Sequence, residues 1–206
     1  MTLNGRCYLP NLNTNTPFPG SKYTFLPLQN ILTTEDFFWN KRISLTDQQL
    51  AIVGNDFDFL IGQWRVVNSR LRHWLCDSTD WFEFESVHTE KKLASGLGTF
   101  AMHEYLLEGS AFARSVLRQY SPSDQFWKIC RMDAMSPVKF SELIGSFWAG
   151  KGRFLSKGIF KDQDVLVWVE WTKVCETFVC WEQALSGDNG KTWETNWVME
   201  FYRVNE

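Results

Sequence analysis

The stretch NDFDFLIGQWRV, Asn55 to Val66, marks the point where the character of the chain changes. A short aromatic turn leads into Gly62-x-Trp64, and beyond it apolar and polar residues alternate, the period of a strand with one buried face. "QWRVVNSRLRHWL" alternates and turns at "CDSTD". "WFEFESVHTEKKL" follows and breaks at "ASGLG", "TFAMHEYLL" ends at "EGS", and "AFARSVLRQY" ends at "SPSD". "FWKICRMD", "FSELIGSFWAG", "GRFLSKGIFK", "VLVWVEWTKV", "TFVCWEQALS" and "WETNWVMEFYRV" complete a run of about ten strands without a helix between them. Short links between consecutive strands predict an all-β, antiparallel up-and-down barrel, because closure removes both exposed edges. A barrel of that size encloses one small ligand.

Upstream of the quoted stretch the texture differs. Residues 1–45 are rich in Asn, Thr and Pro, and Pro10, Pro17, Pro19 and Pro27 forbid a helix before "TTEDFFWNKRI". The segment still carries Phe18, Tyr23, Phe25, Phe37, Phe38 and Trp39, which a solvated tail would not need. The expectation is an extension over 1–45 that packs on the barrel or joins two copies as a homodimer. The barrel domain then spans 46–206, and a short helix at "TDQQLAIVG", capped by Thr46 and stopped by Gly54, precedes the first strand.

The chain has 206 residues, with 11 Trp and 17 Phe, and a formal net charge of −3. Trp suits both a barrel core and a pocket wall, because a large apolar body carries one N–H donor. The charge offers no basic field for phosphates, so nucleic acid is not an expected partner. Five Cys without a CxxC spacing argue against structural zinc and against a disulfide framework. No apolar run is long enough to span a bilayer and no leader-like apolar stretch opens the chain. No membrane partner and a cytoplasmic location are therefore expected.

The Gly62-x-Trp64 entry, with Arg203 in "FYRV", resembles the lipocalin and calycin barrels. The resemblance implies that Trp64 closes the barrel floor and that Arg203 stacks over it. More narrowly, Asp56 to Val204 is similar to a bacterial family of lipocalin-like barrels of unknown function. That family carries FDFLIGxWxVxxxRL and WEQAxSxDxGxTWETNWxMEF motifs, matched here by Phe57–Leu71 and Trp181–Phe201. Within the second motif, "SGDNGKTW" also fits an Asp box, which raises the question of a glycosidase. A single copy on the last hairpin reads instead as a turn, with Asp188 accepting backbone N–H groups, Gly190 at positive φ and Trp193 packed beneath.

Parity from Trp64 places Val66, Asn68, Arg70 and Arg72 inward on the first strand. Parity from Arg203 places Phe201, Met199, Trp197, Thr195 and Trp193 inward on the last. An interior Arg keeps its charge and needs a carboxylate or an anionic ligand. Arg70 therefore pairs with Glu83, Glu85 or Glu182, or else serves the ligand. In "WFEFESVH" either Trp81, Glu83 and Glu85 or Phe82, Phe84, Ser86 and His88 face inward. In "TFAMHEYLL" the choice is His103 with Tyr105 or Phe100 with Met102, and Phe112, Arg114, Val116 and Arg118 share one face of the next strand. Inward Glu83 and Glu85 would raise one another's pKa and supply a general acid. His73, His88 and His103 lie on successive strands without a metal-ligand spacing, and haem through one of them is weighed as a minor alternative.

These residues point to a barrel that binds a hydrophobic or aromatic small molecule through Asn68, Arg70, Tyr105, Arg114, Glu182 and Trp197. The alternative is a cofactor-independent cyclase or isomerase working in the same cavity, with Glu83, Glu85 and His103 as the acid–base candidates. No cofactor and no metal are expected.

Overall fold

The computed structural model describes residues 54–107, 110–132, 138–139 and 142–204. The predicted helix at 46–54 and the extension over 1–45 lie outside them, apart from Gly54. A single turn of 3-10 helix, Asp58–Leu60, leads into eleven strands. They are β1 (Gly62–Leu71), β2 (Trp81–Lys92), β3 (Gly98–Leu107), β4 (Ser110–Ser121), β5 (Phe126–Met132) and the two-residue β6 (Val138–Lys139). β7 (Glu142–Trp148), β8 (Lys151–Phe160), β9 (Gln163–Cys175), β10 (Phe178–Ser186) and β11 (Glu194–Arg203) follow. Ten of them close a barrel in the order β8-β7-β5-β4-β3-β2-β1-β11-β10-β9, with β9 returning to β8 and β6 adding only a short rung beside β8. Every pairing is antiparallel, so the up-and-down barrel expected from the alternation is the fold observed. Among the described residues no helix is long and apolar enough to cross a membrane.

The floor is made by the turn before β1. Phe57 is fully buried and its ring lies 4.9 Å from those of both Trp127 and Phe147 and 5.7 Å from that of Phe154. Phe147 enters this cluster because Gly152 stands opposite it on β8; a Cβ there would sit 2.6 Å from the ring. Trp64 is fully buried and donates its Nε1–H to the Leu60 carbonyl at 2.7 Å. Arg203 lies 4.1 Å above its ring and donates to the carbonyls of Phe59, Ile61 and Glu176. Turn, first strand and last strand are thereby locked at one point.

The opposite end is the mouth, where β1 gives way to the 72–80 loop. Trp74 of that loop packs on Phe160 at 5.6 Å. The Glu194 carboxylate accepts the N–H groups of Leu75, Cys76 and Asp77, two of which stand at positive φ. β1 ends at Leu71, so Arg72 leaves the strand and is exposed rather than inward as its parity predicted. A bulge on β11 moves two further residues. Gln183 pairs with Trp197 and Ala184 with Thr195, leaving Asn196 as the extra, fully buried residue. Thr195 accordingly reaches Glu182 on the outer face, and Trp193 packs on Trp168 instead of pointing into the lumen.

The Asp box is a turn. Asp188 accepts from the N–H groups of Lys191 and Thr192 at 3.0 and 2.9 Å and from the Thr192 and Ser186 hydroxyls at 2.7 Å each. Gly190 stands at φ +86, and Trp193 donates to its carbonyl. Cys180 is disulfide-bonded, a bond the spacing of the cysteines did not suggest, whereas Cys76, Cys130 and Cys175 carry free thiols.

Candidate functional site

The interior above the floor is polar to a degree a purely apolar container would not tolerate. The reason is parity on three neighbouring strands. β1 turns Asn68 inward, β2 turns Phe84, Ser86, His88 and Glu90 inward, and β3 turns His103 and Tyr105 inward. β4 adds Arg114 and Arg118 from the next position around the wall, both at most 5% exposed. The two choices left open in β2 and β3 are thus decided together: the aromatic and histidine faces look in, while Phe100 and Met102 look out.

These side chains form one buried hydrogen-bond chain. Trp197 Nε1–H donates to Asn68 Oδ1 at 3.1 Å, Asn68 Nδ2–H donates to Ser86 Oγ at 2.8 Å, and Ser86 Oγ lies 2.7 Å from His103 Nε2. His103 Nδ1 faces His88 Nδ1 at 3.4 Å, and His88 Nε2 lies 2.9 Å from Glu90 Oε2. Arg118 closes the chain with a 2.8 Å bond to the other Glu90 oxygen. The two ends fix the direction of every proton. An indole N–H only donates and a carboxylate only accepts. His88 therefore carries its proton on Nε2 and accepts at Nδ1; His103 carries its proton on Nδ1 and accepts at Nε2; Ser86 donates to His103.

Electrostatics agree with that assignment. Burial lowers both imidazoles, and for His103, which lies well below its ordinary value, the neighbouring His88, Arg114 and Arg118 add to the effect. Burial alone would push the Glu90 carboxyl up, but Arg118 and the bond from His88 outweigh it and hold it down. The result is a neutral histidine pair between an ion pair and a polar ladder.

At the mouth end of this ladder sits Trp197. The Arg70 guanidinium lies 4.6 Å from its ring and 4.9 Å from that of Trp74, and Arg114 lies 4.7 Å from the Trp197 ring. Phe84 and Tyr105 stand alongside, with ring centres 5.5 Å apart, and Trp181 meets Trp197 edge-on at 5.7 Å. Below this aromatic wall is a cavity of about 30 Å³, room for about two waters.

Of the residues expected at the site, the structure brings together Asn68, Arg70, His103, Tyr105, Arg114 and Trp197. It does not bring Glu83, Glu85 or Glu182. Glu83 and Glu85 lie on the exposed outer face of β2, where Glu85 pairs with Arg65 and Glu83 accepts from Ser69, so neither is a cavity acid. Glu182 also faces outward, accepting from Thr195, and burial raises its pKa with help from nearby Glu170. Ser86, His88, Glu90 and Arg118 were not singled out as site residues from sequence. The signal was available: parity carried two residues beyond His88 reaches Glu90.

No family model matches the chain, and no curated protein matches it in sequence. Among solved structures it is similar to the S-type phycobiliprotein lyase CPES from Guillardia theta. The TM-score is 0.50 and the identity 11%, over 76% of this chain and 98% of that one. The barrel fits a lipocalin-like fold. At this identity the likeness concerns the fold alone.

Proposed function

We propose that the barrel binds an aromatic or hydrophobic small molecule against Trp197, with Asn68, Arg70, Tyr105 and Arg114 as its polar and stacking neighbours. The observation that carries this reading is the placement of Trp197. Its indole is flanked by two guanidinium groups and its N–H is held by a side chain that belongs to a longer polar network. A planar ligand that displaced one guanidinium would meet an aromatic face, a cationic neighbour and a rigid support. The narrower family suggested by the FDFLIG and WEQA motifs, and a homodimer formed through residues 1–45, belong to the same proposal.

The test is a titration of intrinsic Trp fluorescence with 8-anilinonaphthalene-1-sulfonate in wild type and Trp197→Leu. Loss of one stacking partner should weaken binding about tenfold, the equivalent of about 1.4 kcal/mol. Equal affinity in the two proteins would put the ligand elsewhere.

The buried chain favours a second reading, a cofactor-independent isomerase or cyclase. A neutral His103, oriented through His88 by an ionised Glu90 and accepting from the Ser86 hydroxyl, has the build of a proton acceptor that works through Ser86. The fate of a bound compound separates the two readings. A binding barrel releases it unchanged, whereas an isomerase returns an isomer and loses that turnover, with little change in Kd, in His103→Ala.

A further inference from the structure

The cavity beneath Trp197 has a lining that stacking on an indole does not explain. Three guanidinium groups, those of Arg114, Arg118 and Arg131, line it together with His88 and His103, and Arg131 also donates to the Gln183 side chain at 3.4 Å. Arg118 is buried, and Glu90 accepts from one of its terminal nitrogens. Its Nε–H has no hydrogen-bond partner among the described residues. A buried donor on a cation is an uncommon thing to leave unanswered. The neighbouring imidazoles cannot answer it, because both ring nitrogens of each are engaged in the buried chain.

We propose that this cavity is the seat of a carboxylate, so that the ligand of the barrel is an aromatic carboxylic acid whose ring lies at Trp197 and whose anionic end lies among Arg114, Arg118 and Arg131. The size fits: a space for about two waters is filled by the two oxygens of a carboxylate and by little more. Connectivity fits as well. Arg114 lines the cavity and also stands over the Trp197 ring, and Trp181 lines the cavity while touching Trp197 edge-on. Arg114 and Trp181 are thus the side chains that a ligand spanning the two places would have to part. Guanidinium groups are the suited partners, since they keep their charge when buried and present planar pairs of donors to a carboxylate. The inference rests on the Trp197 reading for the ring and on the cavity alone for the anion.

The two parts are tested separately. Crystals soaked in sodium bromide report anions by anomalous scattering; a peak is expected in the cavity beside Arg118 Nε, and its loss in Arg131→Gln. In solution, 2-naphthoate and its neutral counterpart 2-naphthamide are titrated by Trp fluorescence. The acid should bind at least about tenfold more tightly in wild type, and the preference should shrink to less than about threefold in Arg131→Gln and in Arg114→Gln. Arg118 is left intact because its removal would strand Glu90 and endanger the fold. Bromide in the cavity while neither naphthalene binds would overturn the Trp197 reading and leave the anion site standing. A cavity free of bromide with acid and amide bound equally would overturn the carboxylate seat and leave the Trp197 reading standing. A preference for the acid that survives both substitutions unchanged would also overturn it.

Discussion

Both ends of the barrel set an arginine on a tryptophan, and the two pairs are built for different ends. At the floor Arg203 stacks on Trp64, and among the described residues every hydrogen-bond partner of both side chains is a backbone carbonyl: Leu60 for the indole, and Phe59, Ile61 and Glu176 for the guanidinium. At the mouth Arg70 and Arg114 flank Trp197, whose N–H goes to the side chain of Asn68. A carbonyl in a turn is part of the scaffold, so the floor pair fixes the chain's path. A side-chain amide that also supports a serine and two histidines ties its tryptophan to chemistry. The same contact is structural where it ends in backbone, and it is the pair that ends in a polar network to which we assign the ligand.

The sharpest way to break this contrast is at the floor. Trp64→Ala removes a fully buried indole and the surface on which Arg203 rests, and should cost about 3–5 kcal/mol. A thermal melt followed by circular dichroism measures it. Trp197→Leu keeps an apolar side chain in place and should cost clearly less while weakening ligand binding. Equal losses of stability in the two variants would erase the distinction between floor and mouth.

The next effect lies between the two ends. Glu90→Leu strands the buried Arg118 cation and should cost about 3 kcal/mol or more. The double variant Glu90→Leu with Arg118→Met removes both charges and should recover most of that loss. Urea denaturation of the single and double variants decides it. A double variant as unstable as the single one would mean that the pair contributes net stability of its own.

The interior was legible in the sequence as far as strict alternation holds. Parity from Trp64 placed Val66, Asn68 and Arg70 correctly because β1 runs unbroken to Leu71. It failed at Arg72, one step past the strand end, and at Thr195 and Trp193, beyond the extra residue Asn196. A bulge exchanges the two faces, and nothing in "WETNW" announces one. The choice in β2 could not be made locally because both faces carry aromatics: Trp81 beside Glu83 and Glu85 outside, Phe82 and Phe84 inside. The Glu90–Arg118 pair escaped notice for another reason. Its members stand on β2 and β4 with β3 between them, a contact that exists only once the register of three strands is known.

A pH titration sharpens the account of the upper interior. The groups around the histidine pair are Asn68 from β1, Ser86 and Glu90 from β2, Tyr105 from β3, Arg114 and Arg118 from β4 and Arg131 from β5. Burial holds both imidazoles below the ordinary value of 6.5. The unfolded chain then takes up protons before the folded one does. The stability is fully present above about pH 6.5 and is lost as the pH falls from there toward the depressed folded values. The urea midpoint should therefore decline between pH 7.5 and 5, and His88→Asn should flatten that decline. A midpoint that stays level over this range in the wild type would show that the pair is not held neutral.

The smallest effect belongs to the Asp box, which lies on the mouth side and yet behaves like the floor. The Asp188 oxygens are turned into their own hairpin, where the Thr192 N–H and hydroxyl and the Ser186 hydroxyl pull the carboxyl down to about 2 from 3.8. A depressed carboxyl contributes stability above its unfolded pKa of 3.8 and loses it as the pH falls through about 2. Because the group is largely solvated, screening keeps the contribution small, and Asp188→Ala should cost about 1 kcal/mol near neutral pH. The cost should fade as the pH falls through about 2, below which the wild-type carboxyl is itself protonated. Binding of 8-anilinonaphthalene-1-sulfonate should be unchanged in this variant, because neither oxygen of Asp188 bonds to any residue beyond the turn that it closes. If Asp188→Ala proved stable but lost a ligand or a turnover, the turn would belong with Trp197 and the division between scaffold and site would have to be redrawn at the rim.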